Sequence, residues 1–231
     1  MKKFSRFAAA VSATAVLASG AVLAPAASAL DLKVEGETCT ITESYEGEAE
    51  DVQQFLKDAA DDSVAELKKK LPGHTGDIDL ALDLTASAED REAAQARIIA
   101  AAEAEGFGED EVTYLLLIVQ YANLSELGYE VYENEESSFS RTEAQEDLPS
   151  LVEGREKLAN NTVDMPSGTI TSSAPAIQVY SPLKGAYLKL IDLQIDTYKS
   201  CADGKDGTFR LDTSGSGIGG GSVKLSSGSS L

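Results

Sequence analysis

The chain has 231 residues, with 39 acidic side chains against 19 basic ones and a single histidine, and a formal net charge of −20. A field that negative repels phosphate backbones and anionic headgroups, which argues against nucleic acid and against direct docking on a lipid surface. Cationic partners and divalent ions stay open, but solubility outside the cell is the preferred account of the acidity.

Residues 1–29 read as a secretory signal. Lys2, Lys3 and Arg6 are followed by an Ala/Val/Leu stretch and by Ala27-Ser28-Ala29, an A-x-A cleavage box, so the mature chain is expected to start at Leu30. Removing three positive charges from −20 leaves −23 on the remaining 202 of 231 residues. No cysteine directly follows the box, so lipid attachment at a new N-terminal Cys is not expected.

From residue 30 to 42, Leu32, Val34, Cys39 and Ile41 alternate loosely around Gly36, as in a short extended segment or hairpin. Cys39 and Cys201 are the only cysteines and flank the folded region. In an exported chain an isolated pair reads as one disulfide, and closing so long a loop stabilises the fold by about 5 kcal/mol in the chain-entropy account. No C-x-x-C points to redox catalysis.

The first clear helix carries Val52, Phe55, Leu56, Ala59, Ala60, Val64, Leu67 and Leu71 at three- and four-residue spacing and turns Asp58, Asp61, Asp62 and Lys68 outward. Leu71-Pro72-Gly73 ends it. Lys68, Lys69 and Lys70 complement the dipole at its C-terminus, a structural role that outweighs a binding patch. His74 follows in a turn with no nucleophile signature beside it, so it reads as solvated and not catalytic. The stretch DIDLALDL, residues 77–84, fits either a strand or a short helix, and the helix is preferred because aspartate is a poor strand former. Asp77, Asp79 and Asp83 lack the turn glycine and closing glutamate of a calcium loop and read as a solvated face.

Ser87 and Asp90 resemble a capping box and start a second helix, Ala-rich, that runs to Glu105 and stops at Gly106-Phe107. Residues 111–127 form the expected core helix. Leu115, Leu116, Leu117, Ile118 and Val119 make it apolar on every side, and Gly128-Tyr129 is its stop. Five unbroken apolar residues fall far short of the roughly 20 that a bilayer demands. Tyr129, Tyr132 and Phe139 read as caps on a core edge, with a groove as the alternative.

Ser140-Arg141-Thr142-Glu143 has capping-box form, but Pro149 forbids an unkinked helix through Leu148, so the firm helix is placed at 149–159, with Leu151, Val152, Arg155 and Leu158 inward. Residues 160–182 read as a long proline-broken loop and as the best place to seek a binding site. The last helix starts at Pro182 or just after, buries Leu183, Tyr187, Leu190, Ile191, Ile195 and Tyr198, and ends at Cys201. Asp203-Gly204-Lys205-Asp206-Gly207 is read as a turn, since its spacing fails as a calcium loop. Residues 213–231, with seven serines and six glycines, are expected to be a flexible tail.

The expected architecture is therefore mainly α: a disulfide-stapled bundle of about five helices with a short N-terminal extended segment or hairpin, one domain over 30–212. The run GETCTIT, residues 36–42, followed by an acidic stretch and an amphipathic helix, resembles small secreted helical proteins of corynebacteria and related mycolate-bearing actinobacteria. That resemblance implies an envelope or secreted setting and carries no activity or functional residue. No zincin pair, nucleophile elbow, phosphate loop or Cys/His cluster is present in the sequence. The functional expectation is a non-enzymatic interaction protein whose partner is an unknown protein or cell-envelope ligand, with no cofactor, no metal and no catalytic residue. The alternatives are a carboxylate-dependent cell-wall hydrolase and an acidic calcium-responsive binding module.

Overall fold

Alternation in the first segment becomes two strands, β1 (Ala29–Glu35) and β2 (Thr38–Glu43), joined at Gly36, whose φ of 63° suits a residue without Cβ. The structure, a computed structural model, describes residues 29–43, 48–108, 110–123, 137–165 and 168–211. The expected signal up to residue 28, the helix stop at Gly128-Tyr129, Tyr132 and the Gly/Ser-rich tail lie outside the described residues.

The hairpin is larger than the sequence implied. Two four-residue strands extend it, β3 (Ser137–Ser140) beside β2 and β6 (Gly207–Arg210) beside β1, giving an antiparallel sheet ordered β3-β2-β1-β6. One face carries Leu32, Cys39, Ile41, Phe139 and Phe209, all buried; the other exposes Asp31, Lys33, Glu35, Thr38, Thr42, Ser138, Thr208 and Arg210. That is the pleat of a half-buried sheet read across four strands.

Six α-helices are described: α1 (Glu48–Lys70), α2 (Thr75–Leu82), α3 (Ala88–Ala104), α4 (Glu111–Asn123), α5 (Arg141–Ala159) and α6 (Ala174–Ala202), with a short 3-10 turn at Pro72–His74. The mainly helical, disulfide-linked bundle expected from the sequence is present, and the 77–84 stretch is helical as preferred through Leu82, with Asp83 as the extended cap. In α1, Phe55, Ala59, Ala60 and Leu67 are buried, as is Leu71 just after it, while Asp58, Asp61 and Asp62 are exposed. Ser87 accepts from the Asp90 amide at the start of α3, and Gly106, at φ 86°, ends the turn after it and lets the buried Phe107 fold back to donate to Ala102 O.

In α4, Val112, Leu115, Leu116 and Val119 are buried, each worth about 1.5–3 kcal/mol relative to exposure. Yet the element at the centre is α6, which buries 11 of its 29 residues and packs against both α1 and α5. Among the described residues, no helix is long and apolar enough to cross a membrane.

Three expectations need correction. Pro149 does not delay α5, which starts at the Ser140 cap and carries the proline inside it. A proline removes one helical hydrogen bond, that of the Gln145 carbonyl, and both Gln145 and Pro149 are exposed, so water can take the place of the lost donor. Pro182 likewise lies inside α6, whose true start is the Ser173 cap with Pro175 in the first turn. The expected loop at 160–182 is thus a hairpin, β4 (Thr162–Met165) with β5 (Gly168–Thr171), followed by two turns of helix. Left-handed Asn161, φ 57°, turns the chain from α5 into that hairpin.

Candidate functional site

The sequence singled out one pair of residues, Cys39 and Cys201, and the structure brings them together. Cys39 sits mid-strand in β2, opposite Val34 of β1 and Phe139 of β3; Cys201 lies in the last turn of α6. The sulfurs are bonded at 1.94 Å, with the Cα atoms 5.8 Å apart, and both residues are fully buried.

Around the bond the sheet, the start of α5 and the end of α6 are locked together. The Phe139 ring stacks on Tyr198 with centroids 4.8 Å apart. Arg141 donates its backbone N–H to Glu37 O at 2.9 Å, while its guanidinium donates to Ala202 O from Nη2 at 3.0 Å and Nε at 3.3 Å. A cation there satisfies a helix-end carbonyl and matches the negative end of the dipole. Ser140 and Glu143 complete a capping box, Glu143 Oε2 accepting from Ser140 N at 2.7 Å and from Ser140 Oγ at 2.9 Å.

Two carboxyls one turn apart on α5 are shifted in opposite directions. The backbone and side-chain hydrogen bonds from Ser140 hold Glu143 below the usual carboxylate range. Burial, then repulsion from Glu143 and Glu146, pushes Asp147 up. Burial also raises the Tyr198 hydroxyl, and the charges of Asp147 and Glu143 add to it. Opposed shifts are a mark of acid/base pairs in enzymes. Here the depressed member is engaged in a helix cap and both carboxyls sit on one helix, so they do not flank a substrate from two walls as a glycosidase pair must.

His74 stands elsewhere, at the turn between α1 and α2. Its Nδ1 is 3.0 Å from Asp77 Oδ2, and Asp77 Oδ1 accepts from Arg97 Nε at 2.9 Å and Nη2 at 2.7 Å. The hydrogen bond from Arg97, then that from His74, lowers the Asp77 carboxyl. The carboxylate fixes the imidazole as it does in a triad, but no hydroxyl or thiol among the described residues is hydrogen-bonded to the ring. The three aspartates of this stretch do not converge. Asp77 takes His74 and Arg97, Asp79 pairs with Lys68, and Asp83 caps Thr85. Among the described residues, no group of three or more His, Cys, Asp or Glu is placed to hold a metal ion. Lys69 pairs with Glu66 in the last turn of α1, consistent with the structural role read for this basic run.

One cross-link escaped the sequence. Glu111 at the start of α4 accepts from Ser173 N at 2.6 Å, from Ser173 Oγ at 2.5 Å and from Gly108 N at 2.6 Å, and the Tyr180 hydroxyl donates to the Glu111 carbonyl. The starts of α4 and α6 are thereby tied across 62 residues. Phe139, read as a cap on a core edge with a groove as the alternative, is buried on the inner face of the sheet. Compared with protein families, curated proteins and solved structures, the chain matches none.

Proposed function

We propose that this chain is a secreted or envelope-associated helical interaction protein that binds a protein or cell-envelope ligand and has no reaction of its own. The observation that carries the reading is the Cys39–Cys201 link, which uses the only two cysteines of the chain to join its first hairpin to its last helix. Such a bond persists where thiols are not kept reduced, and the A-x-A box before Leu30 supplies the route to that compartment. The exposed acidic faces of α3, with Glu89, Asp90, Glu92 and Glu103, and of α5, with Glu146, Glu153 and Glu156, favour a ligand that presents cationic groups. The resemblance of residues 36–42 to small secreted proteins of mycolate-bearing actinobacteria makes that envelope the first place to look.

The test isolates the protein from the producing organism, sequences its amino terminus, titrates its thiols, and offers it to the envelope fraction with purified peptidoglycan and mycolate glycolipid as parallel baits. The expected product begins at Leu30, has no free thiol and is retained by an envelope component. An intact Met1 start with two free thiols inside the cell would overturn export. Release of soluble glycan fragments from the peptidoglycan bait would overturn the non-enzymatic reading.

A further inference from the structure

The bond expected to be cut during export is the first peptide of β1, a strand with a neighbour on each side. Ala29 is opposite Arg210 of β6, and Leu30 is opposite both Glu43 of β2 and Phe209 of β6. Proteases bind the segment to be cut in an extended form and pair with its backbone, so the peptide groups on either side of the scissile bond must be free. In β1 Ala29 is set against β6, and Leu30, on the other side of the bond, against both neighbouring strands.

We infer that folding withdraws this chain's own processing site: the bond between Ala29 and Leu30 is open to a signal peptidase before the sheet closes and shielded afterwards. The inference rests on the exported reading above and adds an order of events to it. The second neighbour of β1 comes from residues 207–210, near the far end of the described chain, and Cys201 must meet Cys39 before the sheet is pinned. Until those residues arrive, β1 has at most one partner. After they arrive, cutting requires β1 to lift away from β6 and β2, while the disulfide holds β2 in place against α6. Cleavage then tracks the small population of the lifted state.

The test uses the full 231-residue chain in detergent micelles with purified signal peptidase. It is compared, in one buffer, with a full-length variant carrying Cys201→Ser and Phe209→Asp, in which β6 cannot dock, and with a synthetic peptide of residues 20–36. The peptide and the variant are expected to be cut after Ala29, and the oxidised parent on the order of 100-fold more slowly than the variant. Equal rates for the two full-length chains would overturn the inference and leave export standing. A peptide that is not cut after Ala29 would overturn the leader reading, and the inference with it.

Discussion

Arg141, the first residue of α5, holds the carbonyl of Ala202, the last residue of α6, 61 positions further on. The contact joins the start of one helix to the end of its packing partner directly over the disulfide. Replacing Arg141 by Met keeps the aliphatic stem but leaves the Ala202 carbonyl without its charged donor. The expected loss is about 1–2 kcal/mol, with Arg141→Lys recovering part of it, read as a lower urea midpoint at unchanged slope.

The disulfide is expected to dominate. Closing a loop over a sequence separation of 162 stabilises the fold by about 5 kcal/mol in the chain-entropy account. The double variant Cys39→Ala, Cys201→Ala is therefore expected to lose about 3–5 kcal/mol and to unfold at the same urea concentration with or without reductant, whereas the parent shifts when reduced. A parent that melts identically in both conditions contradicts this.

Two glycines are expected to respond in opposite directions. Gly185 lies exposed inside α6, and a Cβ there meets nothing within 4 Å. Gly185→Ala should stabilise by about 0.5–1 kcal/mol through helix propensity. A Cβ at Gly207 would stand 2.8 Å from the Phe209 ring, which is itself buried. Gly207→Ala is expected to destabilise by about 1–3 kcal/mol, and calorimetry of both variants reads the signs side by side.

Ser63 is buried in α1 with a hydroxyl that finds no hydrogen-bond partner among the described residues. A desolvated, unpaired hydroxyl opposes folding, so Ser63→Ala should stabilise by about 1 kcal/mol. Destabilisation in a urea titration would mean that the hydroxyl is satisfied in solution.

Asp147 and Asp77, displaced in opposite directions, make opposite pH predictions. Asp147 is held high by burial, so in the window above the ordinary carboxylate value the native chain keeps a proton that the unfolded chain has released, and stability falls as pH rises through it. Asp147→Asn is expected to melt higher than the parent near neutral pH, the gap closing as pH drops below about 4. Asp77 is held low by Arg97 and then His74, so its contribution is present above the ordinary value and is lost as pH falls through the depressed one. Asp77→Asn should melt lower near neutral pH and converge with the parent in acid.

Local signals were legible in the sequence wherever the partner lay within a turn or two. The periodic face of α1, the Ser87 cap, the Gly106-Phe107 stop and the Ser140–Glu143 box all stand where their residues indicate. Pro149 misled because its effect depends on which way the freed carbonyl points, and that is set by packing. Strands β3 and β6 are four residues each and owe their existence to β2 and β1, roughly a hundred or more positions away. The Glu111–Ser173 cross-link was hidden for a related reason: its donor, Ser173, caps a helix whose start reads as loop in the sequence. At the disulfide, composition alone sufficed, because two cysteines admit one pairing.

The antiparallel match of Ala29 with Arg210 puts the first and last described strands side by side with their outer ends at one corner. Tension applied between those ends therefore peels β1 from β6 one pair at a time, the weakest way to load a sheet. The peeling halts when the pull reaches Cys39 and Cys201. In the oxidised molecule only about 20 residues can pay out, roughly 70 Å at full stretch, and the helices between the two cysteines bear no load.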